Sequence, residues 1–419
     1  MPEPVRTHEE GRLRPNLSEP PGCYNSTPMS TTPTAQQRQG VDPSKPGPSL
    51  PTPGAMDTNA TDLGQLETLQ ILDDNGRVDP ARDPGLDSEE LLGLHRAMVL
   101  SRAFDARMLT MQRQGEMGTF APNLGQEACM VGQVWELTRQ DWFSPSYRSF
   151  GAQILRGWPM EQLFMLWAGY HCGFPPPEGV NDLPFSIVIG SHVLPAVGIA
   201  MAIRRRKERD VVVVNFGDGA MSQGAISEAF NFAAVDQAPA ILVCENNGWA
   251  ISTPSKYQFA TDSLAVRGPG FGLPTIRVDG NDILAMIVAM REAITRGREG
   301  GGATFIEAMT YRMSLHTTAD DPTVYREDAE SEPWKKRDPI NRFELYLKQK
   351  GLLSTEAAAE VRASCDAEVL EARERFRNMA QADPEGIFEN LYVNMPPELE
   401  RQREEYWKRL KRRGIGGQD

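Results

Sequence analysis

The chain is poor in the residues that build disulfide frameworks and metal clusters. Its five cysteines (Cys23, Cys129, Cys172, Cys244 and Cys365) are scattered, odd in number and form no CxxC pair. A disulfide-stapled fold and a zinc cluster are therefore not expected, and the pattern suits a reducing compartment. Basic charge is in deficit: 44 Lys and Arg face 57 Asp and Glu, for a net charge of −13. That balance argues against nucleic acid as the main partner, because phosphate backbones are bound by basic patches. No uninterrupted apolar run reaches the roughly 18–20 residues that cross a bilayer, so no membrane span is expected. The N-terminus lacks an apolar h-region and carries Glu3, Glu9 and Glu10. It reads neither as a secretory signal nor as an organellar transit peptide, and a cytoplasmic protein is the expectation.

What is present is a long chain, 419 residues with 40% hydrophobic content, enough for a large core. Residues 1–62 read as a disordered tail. The stretch Pro43–Pro53 (PSKPGPSLPTP) and the Ser/Thr/Gln-rich segment before it cannot bury enough apolar surface to offset ordering entropy. Residues 63–332 read as an α/β domain. Leu91, Leu94, Met98 and Met108 recur at helical spacing within Ser88–Gln114, with Asp87 or Ser88 as cap and Gly115 as stop. Further helices are expected over Met160–Tyr170 and Gly198–Arg206. Val211–Phe216 (VVVVNF) and Pro239–Glu245 (PAILVCE) are short apolar runs typical of strands buried on both faces. A helix over Gln223–Val235 joins them, so the two strands should be parallel and close. Pro274–Val278, a helix over Asn281–Glu299 and Ala303–Thr310 continue the alternation. The expected fold is α/β, an open, mostly parallel sheet with helices on both faces. Residues 333–419 are charged and helical, and should pack on the domain or on a partner subunit.

One constellation carries chemistry. Gly217-Asp218-Gly219 follows one buried strand, and Asn246-Asn247 follows the next. Ligands of open α/β sheets sit outside the carboxyl ends of the strands, so both motifs should reach the same rim. Asp218 offers a carboxylate and Asn247 an amide oxygen, which suit Mg²⁺, a hard cation that completes its shell with phosphate oxygens and water. The glycines let the backbone turn tightly and approach a phosphate, and the following helix presents unpaired N–H groups to it. GDG alone marks only a turn. GDG at one strand end, with Asn-Asn at the end of the next, is a far more specific signal.

This pairing resembles the thiamine diphosphate fingerprint shared by transketolases, decarboxylases and 2-oxo acid dehydrogenases. Phe120–Gln126 (FAPNLGQ), Pro145–Arg148 (PSYR), Pro177–Asn181 (PEGVN), Ile251–Pro254 (ISTP), Arg277–Asp282 (RVDGND) and Thr310–Arg326 (TYRMSLHTTADDPTVYR) extend the likeness. They resemble the alpha subunit of heterotetrameric pyruvate and branched-chain 2-oxo acid dehydrogenases, from about Leu69 onward. The PEGVN and APNLGQEA segments are closer to bacterial pyruvate dehydrogenase alpha subunits.

The resemblance implies roles by motif position. Asp218 and Asn247 would bind Mg²⁺ by side chain and Trp249 by its backbone carbonyl. Tyr147 and Arg148 would hold the diphosphate, and Arg312, with Asp320, Tyr325 and Arg326, matches a loop that folds over the cofactor. Ile189 and Gly190 would lie beside the cofactor rings, and Gly217, Gly219 and Ala220 would approach the phosphates by backbone. His316 matches the family's active-site histidine. Bare loop chemistry also allows a solvated histidine there, a phosphate or carboxylate ligand, or a proton carrier. His192 stands where the family often has Gln and reads as a supporting group. Glu245 stands where some branched-chain members place an arginine against phosphate.

The implied activity is oxidative decarboxylation of pyruvate with acyl transfer to a lipoyl group. The implied assembly is an α₂β₂ heterotetramer with a beta subunit, which supplies a glutamate to the cofactor, docked on a lipoyl acyltransferase core. A branched-chain 2-oxo acid or acetoin dehydrogenase alpha subunit is the nearest alternative. A split transketolase half is disfavoured by the His316 loop and RVDGND. A regulatory relative with a dead site is disfavoured by the intact Asp218, Asn247, Arg148 and His316.

Overall fold

The computed structural model describes residues 66–170, 173–379, 386–389 and 391–414. The tail expected up to residue 62, and Cys23 and Cys172, lie outside the described residues. Cys129, Cys244 and Cys365 are buried free thiols.

The strands are β1 (Thr68–Leu69), β2 (Trp142–Ser144), β3 (Val212–Gly217), β4 (Ala240–Asn246), β5 (Trp249–Ala250), β6 (Thr253–Pro254), β7 (Thr275–Asp279) and β8 (Thr304–Met309). Six form one sheet in the order β1-β7-β8-β4-β3-β2, every neighbour parallel. β5 and β6 form a small antiparallel hairpin. The helices are α1 (Ser88–Arg113), α2 (Glu127–Trp135), α3 (Phe150–Arg156), α4 (Met160–Trp167), α5 (Val193–Arg206), α6 (Gly224–Val235), α7 (Arg267–Gly270), α8 (Ile283–Arg298), α9 (Asp328–Lys336), α10 (Pro339–Gln349), α11 (Thr355–Met379), α12 (Gly386–Glu389) and α13 (Pro397–Arg412).

Alternation along the strands builds two cores. Val213, Ile241, Val243, Ile276, Val278 and Ile306 face one core, where α1, α2, α4, α8, α10 and α11 also contribute. Val212, Val214, Phe216, Leu242, Cys244 and Phe305 face the other, beneath α5 and α6. The helices follow from handedness. The step from β3 through α6 to β4 and the step from β7 through α8 to β8 run in opposite directions along the sheet. Right-handed crossovers then put α6 and α8 on opposite faces. The winding reverses between β4 and β8, the position at which open α/β sheets bind ligands.

Local signals account for most boundaries. Asp87 caps α1 in a full capping box with Glu90, worth about 1 kcal/mol. Asp282 caps α8 through Leu284 and Ala285 N–H, and its other oxygen accepts from Ile71 and Leu72 N–H at 2.7 and 2.6 Å. One carboxylate therefore pins β1 to the sheet.

Two differences from expectation have physical causes. Helix α5 starts at Val193, five residues before Gly198. Pro195 fits in its first turn, because a first-turn proline lacks only an N–H that needs no helical partner. Helix α2 escapes periodicity because Glu127 through Val134 are all buried, so it has no polar face to reveal it. In the C-terminal region, Phe343, Leu347, Cys365, Val369 and Phe376 join the larger core. No residue of α13 is buried. No helix among the described residues is long and apolar enough to cross a membrane.

Candidate active site

β3 and β4 pair in register so that Gly217 lies beside Glu245. Asp218 and Asn247 therefore leave adjacent strand ends on one rim, as the motif spacing predicts. Asp218 is buried, and its Oδ2 accepts a 2.8 Å hydrogen bond from Gln258 Nε2. Burial raises its pKa, against the stabilising bond from Gln258 and the charge of Arg312. A cation beside it would favour the ionised form. The Asn247 amide is oriented by Gln126, whose Oε1 accepts from Asn247 Nδ2 at 3.1 Å. Its Oδ1 accepts a longer bond of 3.3 Å from Trp249 N–H.

The hairpin of β5 and β6 closes over the GDG turn. A side chain at Gly219 would bring its Cβ within 2.9 Å of Ala250 Cβ, so only glycine fits. Ile251, at the tip, has φ +55°, a strained conformation for a β-branched residue. Its carbonyl accepts a 2.8 Å bond from Arg312. The Trp249 indole donates to Glu330 at 2.8 Å, and Tyr311 donates to the same oxygen at 2.9 Å.

A second cluster faces the first across the rim. Arg148 follows β2, and Arg312 follows β8; both are buried. Neither has a carboxylate within ion-pair distance among the described residues. Arg148 donates to the carbonyls of Pro122 and His316. Arg312 donates to the Tyr325 hydroxyl at 2.8 Å. His316 Nδ1 lies 3.3 Å from Arg148 Nη2 and 3.2 Å from Arg312 Nη1. It accepts from both, so Nε2 carries the ring proton. Burial and the two guanidinium charges hold the His316 pKa down to about 4. At neutral pH it is an uncharged hydrogen-bond donor. Tyr147 packs edge-on to it at 6.3 Å.

The loop between β8 and α9 is tied down by its own side chains. Asp320 accepts from His316 N–H at 2.8 Å and from Tyr325 Oη at 2.5 Å. Arg326 donates to the carbonyls of Arg312 and Ser314 at 2.5 and 3.2 Å.

The remaining predicted residues divide. Gly190 has φ +78° and sits against Gln223, at the far side of the GDG turn. Ile189 beside it is 41% exposed, next to the still more exposed Ile187 and Val188. Ala220 is buried in the turn that opens α6. His192 supports the site from below: its Nε2 donates to the Asn215 carbonyl at 2.7 Å, and burial lowers its pKa. Glu245 is buried. It accepts from Asn215 at 2.8 Å and Gln133 at 3.3 Å, and burial pushes its carboxyl up to about 7. The two glutamines that hold Asp218 and Asn247 were not predicted as site residues. Gln126 lies inside a motif, so a signal existed; Gln258 lies 40 residues from its partner and carries none.

The donor set fits a small hard cation. Among the described residues no group of three or more His, Cys, Asp or Glu could hold a metal. One carboxylate and one amide oxygen leave most of a coordination shell to phosphate and water, as Mg²⁺ prefers. Two buried guanidinium groups with no carboxylate in direct ion-pair contact among the described residues suit an anion, because buried charge is costly unless paired at close range.

Residues 95–385 match the family model described as dehydrogenase E1 component. The chain is 43% identical over 341 residues to the pyruvate dehydrogenase E1 component subunit alpha of Acholeplasma laidlawii, covering 81% of this chain and 99% of that one. It is 40% identical over 342 residues to the 3-methyl-2-oxobutanoate dehydrogenase subunit alpha of Mycobacterium tuberculosis, covering 81% and 93%. It is 40% identical over 344 residues to the pyruvate dehydrogenase E1 component subunit alpha of Staphylococcus aureus, covering 82% and 93%. A family match over more than half of the chain and relatives aligned over most of their length leave one assignment: this chain belongs to the dehydrogenase E1 component family.

Proposed function

We propose that this chain is the alpha subunit of a pyruvate dehydrogenase, a 2-oxo acid dehydrogenase component that depends on thiamine diphosphate and Mg²⁺. The observation that carries the reading is the juxtaposition on one rim of an oxygen-donor pair, Asp218 and Asn247, with two buried, carboxylate-free guanidinium groups, Arg148 and Arg312. A divalent cation and a diphosphate satisfy both halves at once.

Thiamine diphosphate, when bound, supplies the carbanion chemistry of 2-oxo acid decarboxylation. The chain's own residues do the holding. Asp218 and Asn247, with the Trp249 carbonyl, would take the cation. Gly219 and Ala220 bring backbone N–H groups to the phosphates, and Arg148 and Arg312 supply charge-assisted donors. Tyr147 would stand with Arg148 at the diphosphate, and Ile189 and Gly190 are assigned to the wall of the site. His316, neutral and with Nε2–H free of the two arginines, would donate a hydrogen bond to the carboxylate of the 2-oxo acid or to a phosphate. A beta subunit would complete the site in an α₂β₂ assembly on a lipoyl acyltransferase core in the cytoplasm.

The branched-chain reading, with 3-methyl-2-oxobutanoate as substrate, stands beside it. A relative named for that activity matches over a length nearly equal to the pyruvate dehydrogenase relatives.

The test is co-expression with the candidate beta subunit and an assay of Mg²⁺- and thiamine-diphosphate-dependent decarboxylation with an artificial electron acceptor. Pyruvate is compared with 3-methyl-2-oxobutanoate, and Asp218→Ala is the control. Faster turnover of pyruvate, lost in the variant, is expected. Preference for the branched acid changes the substrate and keeps the mechanism. Activity that survives Asp218→Ala sinks the assignment.

A further inference from the structure

We infer that Gln258 is a positioning residue that aims the Asp218 carboxylate for Mg²⁺ and makes the site discriminate Mg²⁺ from larger cations; this rests on the metal reading above. Gln258 ends the turn Ser255–Tyr257 that follows β6. Its Nε2 donates to Asp218 Oδ2 at 2.8 Å and to the Thr253 carbonyl at 3.1 Å. The amide is therefore anchored on the hairpin and holds one carboxylate oxygen, Oδ2. Gln258 Oε1 is buried and has no partner among the described residues. It lies 4.0 Å from where a Cβ on Gly219 would stand, beside the GDG backbone. A buried acceptor without a donor is costly. A water on the cation, of which Mg²⁺ usually keeps several, would satisfy it.

The choice of an amide has a reason. A Lys or Arg here would also hold Asp218, but its charge would repel the cation. Glutamine fixes the carboxylate and adds no charge. Outer groups of this kind commonly change metal affinity by about 10–100-fold. Mg²⁺ demands near-ideal octahedral geometry, while Ca²⁺ accepts irregular shells. Loss of the Gln258 bond should therefore penalise Mg²⁺ far more than Ca²⁺. A general loosening of the hairpin would penalise both alike.

The experiment titrates Mg²⁺ and Ca²⁺ separately into the full chain with its beta subunit and saturating thiamine diphosphate, followed by calorimetry and tryptophan fluorescence. The variants are Gln258→Met, close in shape without the amide, and Gln258→Leu in case the first does not fold. The expected result is a fall in Mg²⁺ affinity of about 10–100-fold with a fall in Ca²⁺ affinity below about threefold. Equal losses for both ions, or none for Mg²⁺, overturn the inference and leave the metal reading standing. Unchanged Mg²⁺ binding in Asp218→Ala removes the metal reading itself, and this inference with it.

Discussion

The two halves of the rim are built by different means. The cation half sits on the ends of β3 and β4, two strands buried along their length and paired residue by residue. The anion half sits on loops: Arg148 after β2, and Arg312, His316, Tyr325 and Arg326 after β8. Its geometry comes from guanidinium groups bonded to backbone carbonyls of Pro122, Ile251, Arg312, Ser314 and His316. A strand end can move only with its sheet. A loop held by side chains can open at the cost of a few bonds. The cation half should thus be preformed, and the anion half should tighten when its ligand arrives.

The comparison can be broken most strongly at Arg148. Arg148→Gln removes a buried charge-assisted donor, worth roughly 1.5–3 kcal/mol. Thiamine diphosphate affinity should fall by about 10–100-fold in a calorimetric titration, with the Mg²⁺ requirement kept. A Mg²⁺ requirement lost together with cofactor affinity would mean that the halves are not separable.

A second test reads the electrostatics of the anion half. His316 is held at about 4 by burial and by Arg148 and Arg312. Its pKa should rise toward the ordinary 6.5 in Arg148→Gln, followed by NMR of labelled histidine. The sign for stability is set by the same depression. The unfolded chain takes up this proton near 6.5 and the folded chain only near 4, so the loop should lose stability as pH falls through that window. Hydrogen-exchange protection across residues 313–326, each rate taken relative to the intrinsic amide rate at that pH, checks it at pH 7 and pH 5; lower protection at pH 5 is expected. A histidine that titrates near 6.5 in the unaltered protein would show that the two arginines do not face it.

The smallest expected effect lies where the halves meet. Ile251 holds φ +55° while its carbonyl binds Arg312. Ile251→Gly should relieve strain and raise stability by about 1 kcal/mol, read as a higher Tm, since such strain costs roughly 1–3 kcal/mol and glycine returns part of the gain as chain entropy. A lower Tm would mean that the exposed Ile251 side chain contributes packing that outweighs the strain.

Much of this molecule was legible in its sequence. Unbroken apolar runs such as Val211–Phe216 announced strands buried on both faces, a capped, periodic stretch announced α1, and the alternation of strand and helix announced α6 and α8. GDG and Asn-Asn at successive strand ends placed the cation half, because strand ends in a parallel sheet are forced onto one rim. The family likeness singled out Arg148, Arg312 and His316. Other features needed the tertiary structure. Helix α2 has no polar face, and periodicity needs one. Gln258 meets Asp218 only because the hairpin folds back over the GDG turn. His316 becomes a neutral donor because packing buries its ring and brings two arginines from different strand ends onto one ring nitrogen. Local sequence can specify an element, and a motif can specify a residue type at a rim. Which charges face one another, and what their burial does to a proton, is decided by packing among distant segments, such as Arg148 and His316, 168 residues apart.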